Sequence, residues 1–375
     1  MSFPLILCSQ IFKAHYGKAL KKDERNENVK FHVFGSSGQV DCHDQTLTKE
    51  STIIIGRKGS VGEITYAPEG GWTIDTAYYL ELLDKKLCDL RYLYYALKRA
   101  KLSQRTITTS IPGLNRDDLY ATKIPLPPLE EQKRIAAILD KADAIRRKRQ
   151  QAIDLTDQLL CSVFLDMFGD PVTNPKGYKN GKIGDLLDSV NYGTSAKAGT
   201  KGKYPILRMN NITYEGDWKL IDLKYIDMNE KDLKKYTAES GDILFNRTNS
   251  KELVGKTAVF REENPYVFAG YLIRSKVNSL ATPEYISGFL NSFYGKMLLR
   301  NMCKNIVGMA NINAKEYQAI NILIPPIEEQ KKYASIVKKC RNKITFYRNV
   351  QKKSEELFNA LTQQAFRGEL TKSTK

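Results

Sequence analysis

Two acidic clusters in the sequence have the residue types of a magnesium-dependent nuclease. Asp118 precedes Glu131-Gln132-Lys133, and Glu316 precedes Glu329-Gln330-Lys331. In such nucleases the Glu and Lys alternate on a strand, so that both side chains reach one metal ion. Here they follow a Pro-Pro pair, which cannot lie inside a helix but can precede one. The side chains would then diverge around the first helical turn, and we interpret them as capping and partner-contact residues.

The other candidate catalytic and metal sites are incomplete. His32, Cys42 and His43 lie close together in the sequence, but a fourth ligand with zinc spacing is missing. The glycine-rich residues 56–62 lack the Lys-Ser/Thr pair of a phosphate-binding loop. Asn264-Pro265-Tyr266 contains only part of the Asn-Pro-Pro-aromatic motif of amino-methyltransferases. With three histidines in 375 residues, the sequence predicts no active site.

The clearest pattern in the chain is an internal repeat. Ile-Pro-Leu-Pro-Pro-Leu-Glu-Glu-Gln-Lys begins at Ile124, and Ile-Leu-Ile-Pro-Pro-Ile-Glu-Glu-Gln-Lys begins 198 residues later at Ile322. Each copy runs into a stretch that has no glycine until Gly169 or Gly368, with apolar positions at three- and four-residue steps. The repeat predicts a tandem pseudo-dimer in which a long helix starts at or just after each Pro-Pro pair.

The two helices are expected to pair with one another. A helix of ~40 residues is about 60 Å long at ~1.5 Å per residue, so it needs a partner along its whole length. We expect an antiparallel coiled coil, with ordinary domain-capping helices as the alternative. The predicted seam consists of Ile135, Ile138, Ala142, Ile145, Ala152, Thr156, Leu159 and Val163 in the first helix, and of Tyr333, Ile336, Cys340, Ile344, Tyr347, Val350, Ser354, Leu357 and Leu361 in the second.

Two globular segments alternate with these helices, which gives a predicted α+β fold. The predicted boundaries are residues 1–126 and 171–324 for the globular segments, and residues 127–170 and 325–375 for the helices.

Both globular segments contain short strand-like runs that end in Gly/Ser/Thr/Asn loops, followed by a helix. One helix is expected around Leu90–Leu97 and one around Ile286–Leu298. An apolar strand, an arginine in a polar loop and then a glycine recur around Arg57 and Arg247. We therefore interpret the two segments as diverged copies.

The charge balance favours a polyanionic partner. Lys and Arg number 59 against 42 Asp and Glu, which gives a net charge of +17. The globular segments are modestly basic, whereas the first long helix is nearly neutral and better suited to a protein partner. The sequence has no membrane-length apolar run and no paired cysteine spacing, and its first residues lack the features of a signal peptide. These features predict a cytoplasmic protein with reduced thiols and no membrane contact.

The duplicated Pro-Pro-Leu/Ile-Glu-Glu-Gln-Lys helices, each after a variable α+β segment, resemble the specificity subunit of type I restriction-modification enzymes. The resemblance covers essentially the whole chain. It implies two target recognition domains, each reading one half of a bipartite double-stranded DNA sequence, with an antiparallel coiled coil that sets the gap. It also implies two docked methyltransferase subunits, joined by restriction/translocase subunits. The chain itself would be non-catalytic and bind no cofactor, while S-adenosylmethionine and ATP/Mg would belong to those partners.

Residues suited to DNA recognition lie in loops of both segments. Arginine, planar amides and small hydroxyls read base edges, whereas lysine, arginine and backbone N–H groups bind phosphates. The candidate DNA-binding residues are Lys18, Ser36, Ser37, Gln39, Arg57, Lys58, Thr194, Ser195, Arg208, Asn210, Asn211, Arg247, Thr248, Asn249 and Lys251. Arg57 and Arg247 are the strongest, because their loops correspond. The candidate subunit-binding residues are Pro128, Glu130, Glu131, Gln132, Pro326, Glu328, Glu329 and Gln330.

Two other functions stay open on the sequence alone. A non-catalytic coiled-coil assembly protein would bind DNA without sequence preference. A self-contained nuclease or methyltransferase would show turnover by this chain alone, dependent on a divalent metal or on S-adenosylmethionine. The sequence gives neither the recognised bases nor the gap length.

Overall fold

A computed structural model describes residues 3–26, 30–105, 113–302, 304–306 and 309–369. The chain divides into two compact units: unit 1 is Met1–Arg149 with Val350–Lys375, and unit 2 is Gln150–Asn349. None of the described helices combines the length and the apolar content that a membrane crossing needs. The five described cysteines are free thiols.

Two helices are far longer than the others. The described helices are α1 (Leu90–Arg99), α2 (Arg116–Tyr120), α3 (Leu129–Phe168), α4 (Glu230–Tyr236), α5 (Pro283–Asn291), α6 (Phe293–Met302), α7 (Ala314–Gln318) and α8 (Ile327–Arg367). The long helices α3 and α8 start directly after the Pro-Pro pairs and carry two glutamates in their first turns, at the positive end of the helix dipole. Gly169 and Gly368, with φ of 77° and 71°, follow their last residues. The predicted start of each helix at or just after its Pro-Pro pair is confirmed, whereas α8 ends at Arg367, before the predicted bound at residue 375.

The described part of unit 1 contains three small sheets. Its strands are β1 (Leu5–Leu7), β2 (Phe12–Tyr16), β3 (Phe31–Gly35), β4 (Gly38–His43), β5 (Thr52–Gly56), β6 (Ile64–Ala67), β7 (Trp72–Thr73), β8 (Ala77–Leu82) and β9 (Lys123–Pro125). The sheet orders are β1-β9, β2-β8-β5-β6 and β4-β3-β7, and only the β3–β7 pair is parallel. The central strand β5 is buried on both faces: Ile53 and Ile55 pack with α1, and Ile54 packs with Phe34 on the other side.

Unit 2 repeats this plan with additions. Its strands are β10 (Lys179–Lys182), β11 (Leu187–Tyr192), β12 (Tyr204–Leu207), β13 (Lys224–Ile226), β14 (Thr237–Ala238), β15 (Ile243–Asn246), β16 (Thr248–Asn249), β17 (Thr257–Val259), β18 (Tyr266–Phe268), β19 (Leu272–Val277), β20 (Lys304–Ile306), β21 (Met309–Asn311) and β22 (Asn321–Ile324). The orders β10-β22, β11-β19-β15-β17 and β13-β12-β18-β14 match those of unit 1, apart from the added β14. A fourth sheet, β16-β21-β20, extends unit 2. The predicted internal repeat is confirmed.

The long helices pair in opposite directions. In unit 1, Ile135 and Leu139 from the start of α3 share a core with Ala365 and Phe366 from the end of α8. In unit 2, the ring of Phe164 near the end of α3 lies 5.5 Å from that of Tyr333 near the start of α8. Each unit thus joins the start of one helix to the end of the other, which makes the pair antiparallel.

The predicted seam residues are only partly right. Tyr333, Cys340 and Ile344 are buried in α8, but Leu357 is 60% exposed. In α3, Ile145 and Leu159 are 49% and 50% exposed.

After Ile135, the buried face of α3 is shifted by one residue and includes Leu139, Ile153, Leu160 and Phe164. One residue corresponds to about 100° around a helix, at ~3.6 residues per turn. Polar residues such as Asp143 and Arg149 interrupt this face. The spacing of apolar residues alone therefore predicted the wrong face of α3 as the buried one.

Different ion pairs attach the helices to the globular part of each unit. In unit 1, Asp140 of α3 accepts hydrogen bonds of 2.6 Å from Arg91 and from the Tyr95 hydroxyl. In unit 2, Asp217 accepts from Arg348 of α8 at 2.5 Å and lies 3.5 Å from Arg341. Burial alone would raise the pKa of Asp217, but the two arginines lower it below its ordinary value. The attachment is therefore ionic in both copies but uses different residues.

The prediction of a single helix around Ile286–Leu298 is wrong, because the two helices α5 and α6 occupy this stretch. Ser292 separates α5 from α6 with an extended backbone, at φ −64° and ψ 161°. Its hydroxyl donates to the Phe289 carbonyl and accepts from the Gly295 N–H, which ends one helix and starts the next. A serine within an apolar pattern does not by itself predict this break.

Gly288 of α5 is expected to be essential for seating the helices in unit 2. A Cβ atom there would lie 2.6 Å from the Tyr333 hydroxyl and 2.8 Å from the Phe164 ring, and both of these side chains are buried. Gly288→Val should lower the free energy of unfolding by about 1–3 kcal/mol through overpacking, measured by urea denaturation. The control is Gly199→Val, because a Cβ at Gly199 has no neighbour closer than 3.5 Å. Equal stability of the two variants would contradict this packing.

Candidate nucleic-acid interface

The predicted loop residues of unit 1 gather at one edge of its sheets. Lys18 follows β2, Ser36 and Ser37 form the β3–β4 turn, Gln39 lies in β4, and Arg57 and Lys58 follow β5. Backbone bonds connect these loops to the chain just before β8. The Lys18 N–H donates to the Thr73 carbonyl and the Arg57 N–H to the Thr76 carbonyl, both at 2.9 Å. A Cβ at Gly59 would lie 3.2 Å from the Ser36 hydroxyl, which brings the turn beside the Arg57 loop.

Arg57 is held in a defined position at this edge. Its guanidinium donates to the Asp75 carbonyl at 2.9 Å and lies 5.0 Å from the centre of the Tyr16 ring. Burial, together with the hydrogen bond to Tyr16, raises the pKa of Tyr78 to about 12. The Tyr16 ring itself is 47% exposed, so the arginine and tyrosine form an ordered polar surface that faces solvent.

Unit 2 builds the same arrangement around Arg247. Its guanidinium lies 5.0 Å from the centre of the Tyr192 ring and donates to the Gly270 carbonyl at 3.5 Å. The Arg247 N–H donates to the Tyr271 carbonyl at 3.0 Å, as the Arg57 N–H does to Thr76. Tyr192 is 44% exposed.

The backbone around the two arginines is equivalent in detail. The Arg57 carbonyl accepts from the Leu114 N–H, and the Arg247 carbonyl accepts from the Ile312 N–H, both at 2.9 Å. This result supports the predicted correspondence of the two loops.

In both units a Tyr-Gly pair stands at the end of the first strand of the four-stranded sheet, β2 or β11. This pair was not identified from the sequence as part of the site. A Cβ at Gly17 or Gly193 would lie 2.1 Å or 2.2 Å from a carbonyl oxygen of Ile74 or Ala269. Only glycine permits this close approach of two backbone segments, which sets the preceding tyrosine beside the arginine. The shared Tyr-Gly dipeptide at 16–17 and 192–193 was the available signal.

Most of the predicted unit 2 residues also lie at the matching edge. Ser195 and Asn210 are exposed in the loops after β11 and β12, and Lys251 is exposed after β16. Thr248 and Asn249 are half-buried because they form β16, which pairs with β21.

Three of the unit 2 candidates serve their own loops. Asn211 is 2% exposed; its carbonyl oxygen accepts from the Arg208 N–H, and its amide donates to the Lys219 carbonyl. The buried Thr194 hydroxyl accepts from the Ala196 N–H, and the half-buried Arg208 guanidinium donates to the Asp222 carbonyl. Asn211 and Thr194 are therefore corrected to residues that stabilise loops.

The glutamines of the two Glu-Glu-Gln motifs are a second correction. Gln132 and Gln330 are fully buried, so they cannot contact a partner subunit. The Gln132 carbonyl oxygen accepts from the Asp89 N–H at 2.8 Å, and its amide donates to the Leu87 and Pro127 carbonyls at 3.0 and 2.8 Å.

Gln330 makes the same three bonds in unit 2, to the Thr282 N–H and to the Leu280 and Pro325 carbonyls, at 2.9–3.0 Å. We call each set of three bonds a glutamine clamp. Each clamp joins the start of a long helix to the loop that caps α1 or α5. The clamp was not predicted, because its partner loop lies more than 40 residues away in the sequence.

The other predicted subunit-binding residues are at least partly accessible. Pro128, Glu130, Pro326 and Glu328 are exposed. Glu131 is half-buried and pairs with Arg134 at 2.9 Å, whereas Glu329 accepts from the Tyr178 hydroxyl at 2.5 Å.

The histidine and cysteine cluster makes local contacts. His32 is hydrogen-bonded to the Gln39 amide at 2.8 Å, and His43 to the Glu24 carbonyl at 2.9 Å. Within the described ranges, no group of three or more His, Cys, Asp or Glu residues has the geometry to hold a metal ion.

Comparison with known sequences decides the family. The chain matches the type I restriction modification DNA specificity domain over residues 8–155 and again over residues 175–356. The chain belongs to this family. The two matches divide it as the internal repeat does, so it carries two specificity domains.

Individual relatives cover different parts of this specificity-domain protein. It is 27% identical over 299 residues to the type I restriction enzyme EcoKI specificity subunit of Escherichia coli K12, covering 74% of this chain and 64% of that one. It is 30% identical over 175 residues to a putative MjaX specificity subunit of Methanocaldococcus jannaschii, covering 45% of this chain and 41% of that one. The chain thus spans less than two thirds of the length of these relatives.

Solved structures share the fold of this specificity-domain protein. The crystal structure of a type I restriction-modification S subunit from M. genitalium matches with a TM-score of 0.64 and 18% identity, covering 98% of this chain and 96% of that one. The two-domain α+β architecture with an antiparallel helix pair is therefore a known arrangement.

Replacing Gln132 should destabilise unit 1 of this specificity-domain protein. Gln132→Leu would leave the half-buried Asp89 N–H and two carbonyls without their glutamine partner, at a cost of about 1–3 kcal/mol in the free energy of unfolding. Gln330→Leu should do the same in unit 2. The measurement is urea denaturation, with the exposed Glu130→Gln and Glu328→Gln as matched controls that change stability by less than about 0.5 kcal/mol. Unchanged stability together with lost partner binding would restore the original interpretation of these glutamines.

Proposed function

We propose that this chain is the sequence-reading specificity subunit of a type I restriction-modification complex. Each globular domain reads one half of a bipartite double-stranded DNA target. The observation that carries the proposal is the equivalent arginine–tyrosine surface, built around Arg57 in one domain and Arg247 in the other, in a chain with two DNA specificity domains. An arginine fork held in place suits bidentate contact with the O6 and N7 atoms of guanine.

The surroundings of these arginines suit a DNA backbone. Lys18 and Lys58 are exposed beside Arg57, and Lys251 is exposed in the loop after β16. Lysines at the rim of a reading surface bind phosphates and fix the register without reading sequence. The net charge of +17 adds long-range attraction to a polyanion.

The helix pair would act as the spacer between the half-sites. Helices α3 and α8 have 40 and 41 residues, which corresponds to about 60 Å each. The glutamine clamps fix the start of each helix to its own domain. A stiff spacer held in this way would give the target a gap of fixed length.

Partner subunits would dock on the outward faces of the helices. Leu159 in unit 2 and Leu357 in unit 1 occupy equivalent positions of the repeat. Their side chains are 50% and 60% exposed. Exposed apolar residues at equivalent places suit two identical partners. We propose that two methyltransferase subunits bind there and that restriction/translocase subunits join the complex.

The chemistry of the complex would reside in these partners. The chain would be non-catalytic, the methyltransferase would hold S-adenosylmethionine, and the restriction subunit would hold ATP and Mg. Since the target is DNA, we expect the complex to act in the cytoplasm.

The half-site assignment is tested by a long-read methylome of a host that carries this chain and its neighbouring methyltransferase gene. Methylated adenines should fall in a split motif with a fixed gap. Arg57→Ala should relax one half of the motif and Arg247→Ala only the other, because each lost arginine–guanine contact removes about 1–3 kcal/mol of discrimination.

Arg99→Ala provides the control for these variants. Arg99 is an exposed arginine that lies over the Phe366 ring in unit 1, and its loss should leave the motif intact. Methylation without a bipartite motif, or no methylation by an assembled complex, would favour a non-specific assembly protein instead.

The partner stoichiometry is tested by native mass spectrometry of the co-purified complex. Leu159→Asp and Leu357→Asp should each leave one bound methyltransferase subunit instead of two, and the double variant should leave none. A charge buried in an apolar contact is costly unless it is paired, so one substitution should suffice at each position.

The matched controls change the exposed neighbours Gln158→Asp and Glu356→Asp, and both variants should keep two partners. If the double Leu variant still binds two methyltransferase subunits, these leucines are not the docking positions.

A further inference from the structure

One arginine at the reading edge of unit 1 is replaced by alanine in unit 2. Arg116 is the first residue of α2, and Ala314 is the first residue of α7. Both helices are capped by an asparagine, Asn115 or Asn313. The residue before each asparagine donates its N–H to the carbonyl of Arg57 or Arg247. The two positions are therefore equivalent in the repeat, but their side chains differ.

Arg116 shares the Tyr16 ring with Arg57. The guanidinium carbons of Arg116 and Arg57 lie 5.1 and 5.0 Å from the ring centre, so they are at most 10.1 Å apart, the sum of these distances. Among the described residues, the arginines that pair with acidic side chains in unit 1 are Arg91, Arg134, Arg146 and Arg147, not Arg57 or Arg116. The Tyr16 ring therefore carries two positive charges on one surface, whereas one arginine lies over the equivalent Tyr192 ring of unit 2.

Unit 2 orders its tyrosine in another way. The Tyr192 hydroxyl accepts a hydrogen bond of 2.8 Å from the Ala314 N–H, and Arg247 is the arginine over its ring. Backbone contact is thus sufficient to hold a tyrosine at this place in the fold. The second arginine of unit 1 is not needed for that purpose, and it adds a positive charge beside the Tyr16 ring.

We infer that Arg116 is a specificity-determining residue that reads a guanine in the half-site of unit 1, beside the base read by Arg57. This inference rests on the proposed function. Two guanidiniums on one exposed ring suit an acceptor-rich ligand, and the edge of guanine accepts an arginine fork at O6 and N7. Base pairs are stacked at about 3.4 Å, so a separation of at most 10.1 Å keeps both contacts within about three steps of one half-site. Ala314 leaves unit 2 with one such contact.

The test uses the full chain co-expressed with its methyltransferase subunit. The purified complex selects sites from a randomised double-stranded DNA library, and the host methylome is read in parallel. Arg116→Ala should lower discrimination for one G·C pair of the unit 1 half-site by about 5- to 150-fold, the equivalent of 1–3 kcal/mol, with the other half-site unchanged. Arg116→Gln should shift the preference at the same pair toward adenine, because glutamine fits adenine N6 and N7. Arg99→Ala again serves as the control.

The possible outcomes separate this inference from the proposed function. If the wild-type complex selects no bipartite motif, both fail. If it selects one and Arg116→Ala leaves every position unchanged, only the inference about Arg116 fails. Uniform weakening on all sequences, with the salt dependence reduced by about one charge, would make Arg116 a phosphate contact and overturn base reading. Thermal unfolding of both variants shows whether they fold, and the shift produced by Arg116→Gln is independent of a general loss of binding.

Discussion

The glutamine clamp is the contact on which the geometry of this protein depends. Each long helix starts in one unit, and its first turn is the place where it joins the globular part of that unit. At that turn Gln132 or Gln330 makes three hydrogen bonds to fixed backbone groups in a fully buried place. A buried amide with all its partners present is directional, unlike an apolar contact, so it fixes an angle as well as a position.

The two copies keep the clamp and vary what surrounds it. The arginine–tyrosine surface is retained at both reading edges, with the same backbone bonds. The ion pairs that attach the helices differ, and unit 2 has an additional sheet at its reading edge. Each unit therefore keeps the clamp contacts, while the ion pairs and the additional sheet differ between the two units. Under the proposed function, two related but unequal domains suit a target whose halves differ.

The sequence predicts those features that depend on local rules. Pro-Pro pairs and glycines mark the ends of both long helices, and the repeat reveals the duplicated domain and the loops around Arg57 and Arg247. It does not predict contacts between residues distant in the chain. The sequence predicts that Gln132 is exposed in the first turn of α3. In the structure it is buried by the loop before α1. Arg116 lies outside the strand–loop pattern and meets Tyr16 only in the folded domain. The buried face of α3 was also predicted wrongly, because polar residues on that face obscure the spacing of its apolar residues.

The paired arginines on Tyr16 also link folding to the ionic surroundings. The folded domain places both positive charges over one ring, so this surface favours anionic partners. Any polyanion that binds the folded domain but not the unfolded chain stabilises it by mass action, by about 2.7 kcal/mol at a free concentration one hundred times the Kd. Heparin and unrelated DNA would share in this gain. A rise in Tm with nucleic acid would consequently report charge neutralisation as well as sequence recognition, and only the difference between matched and mismatched duplexes would measure reading.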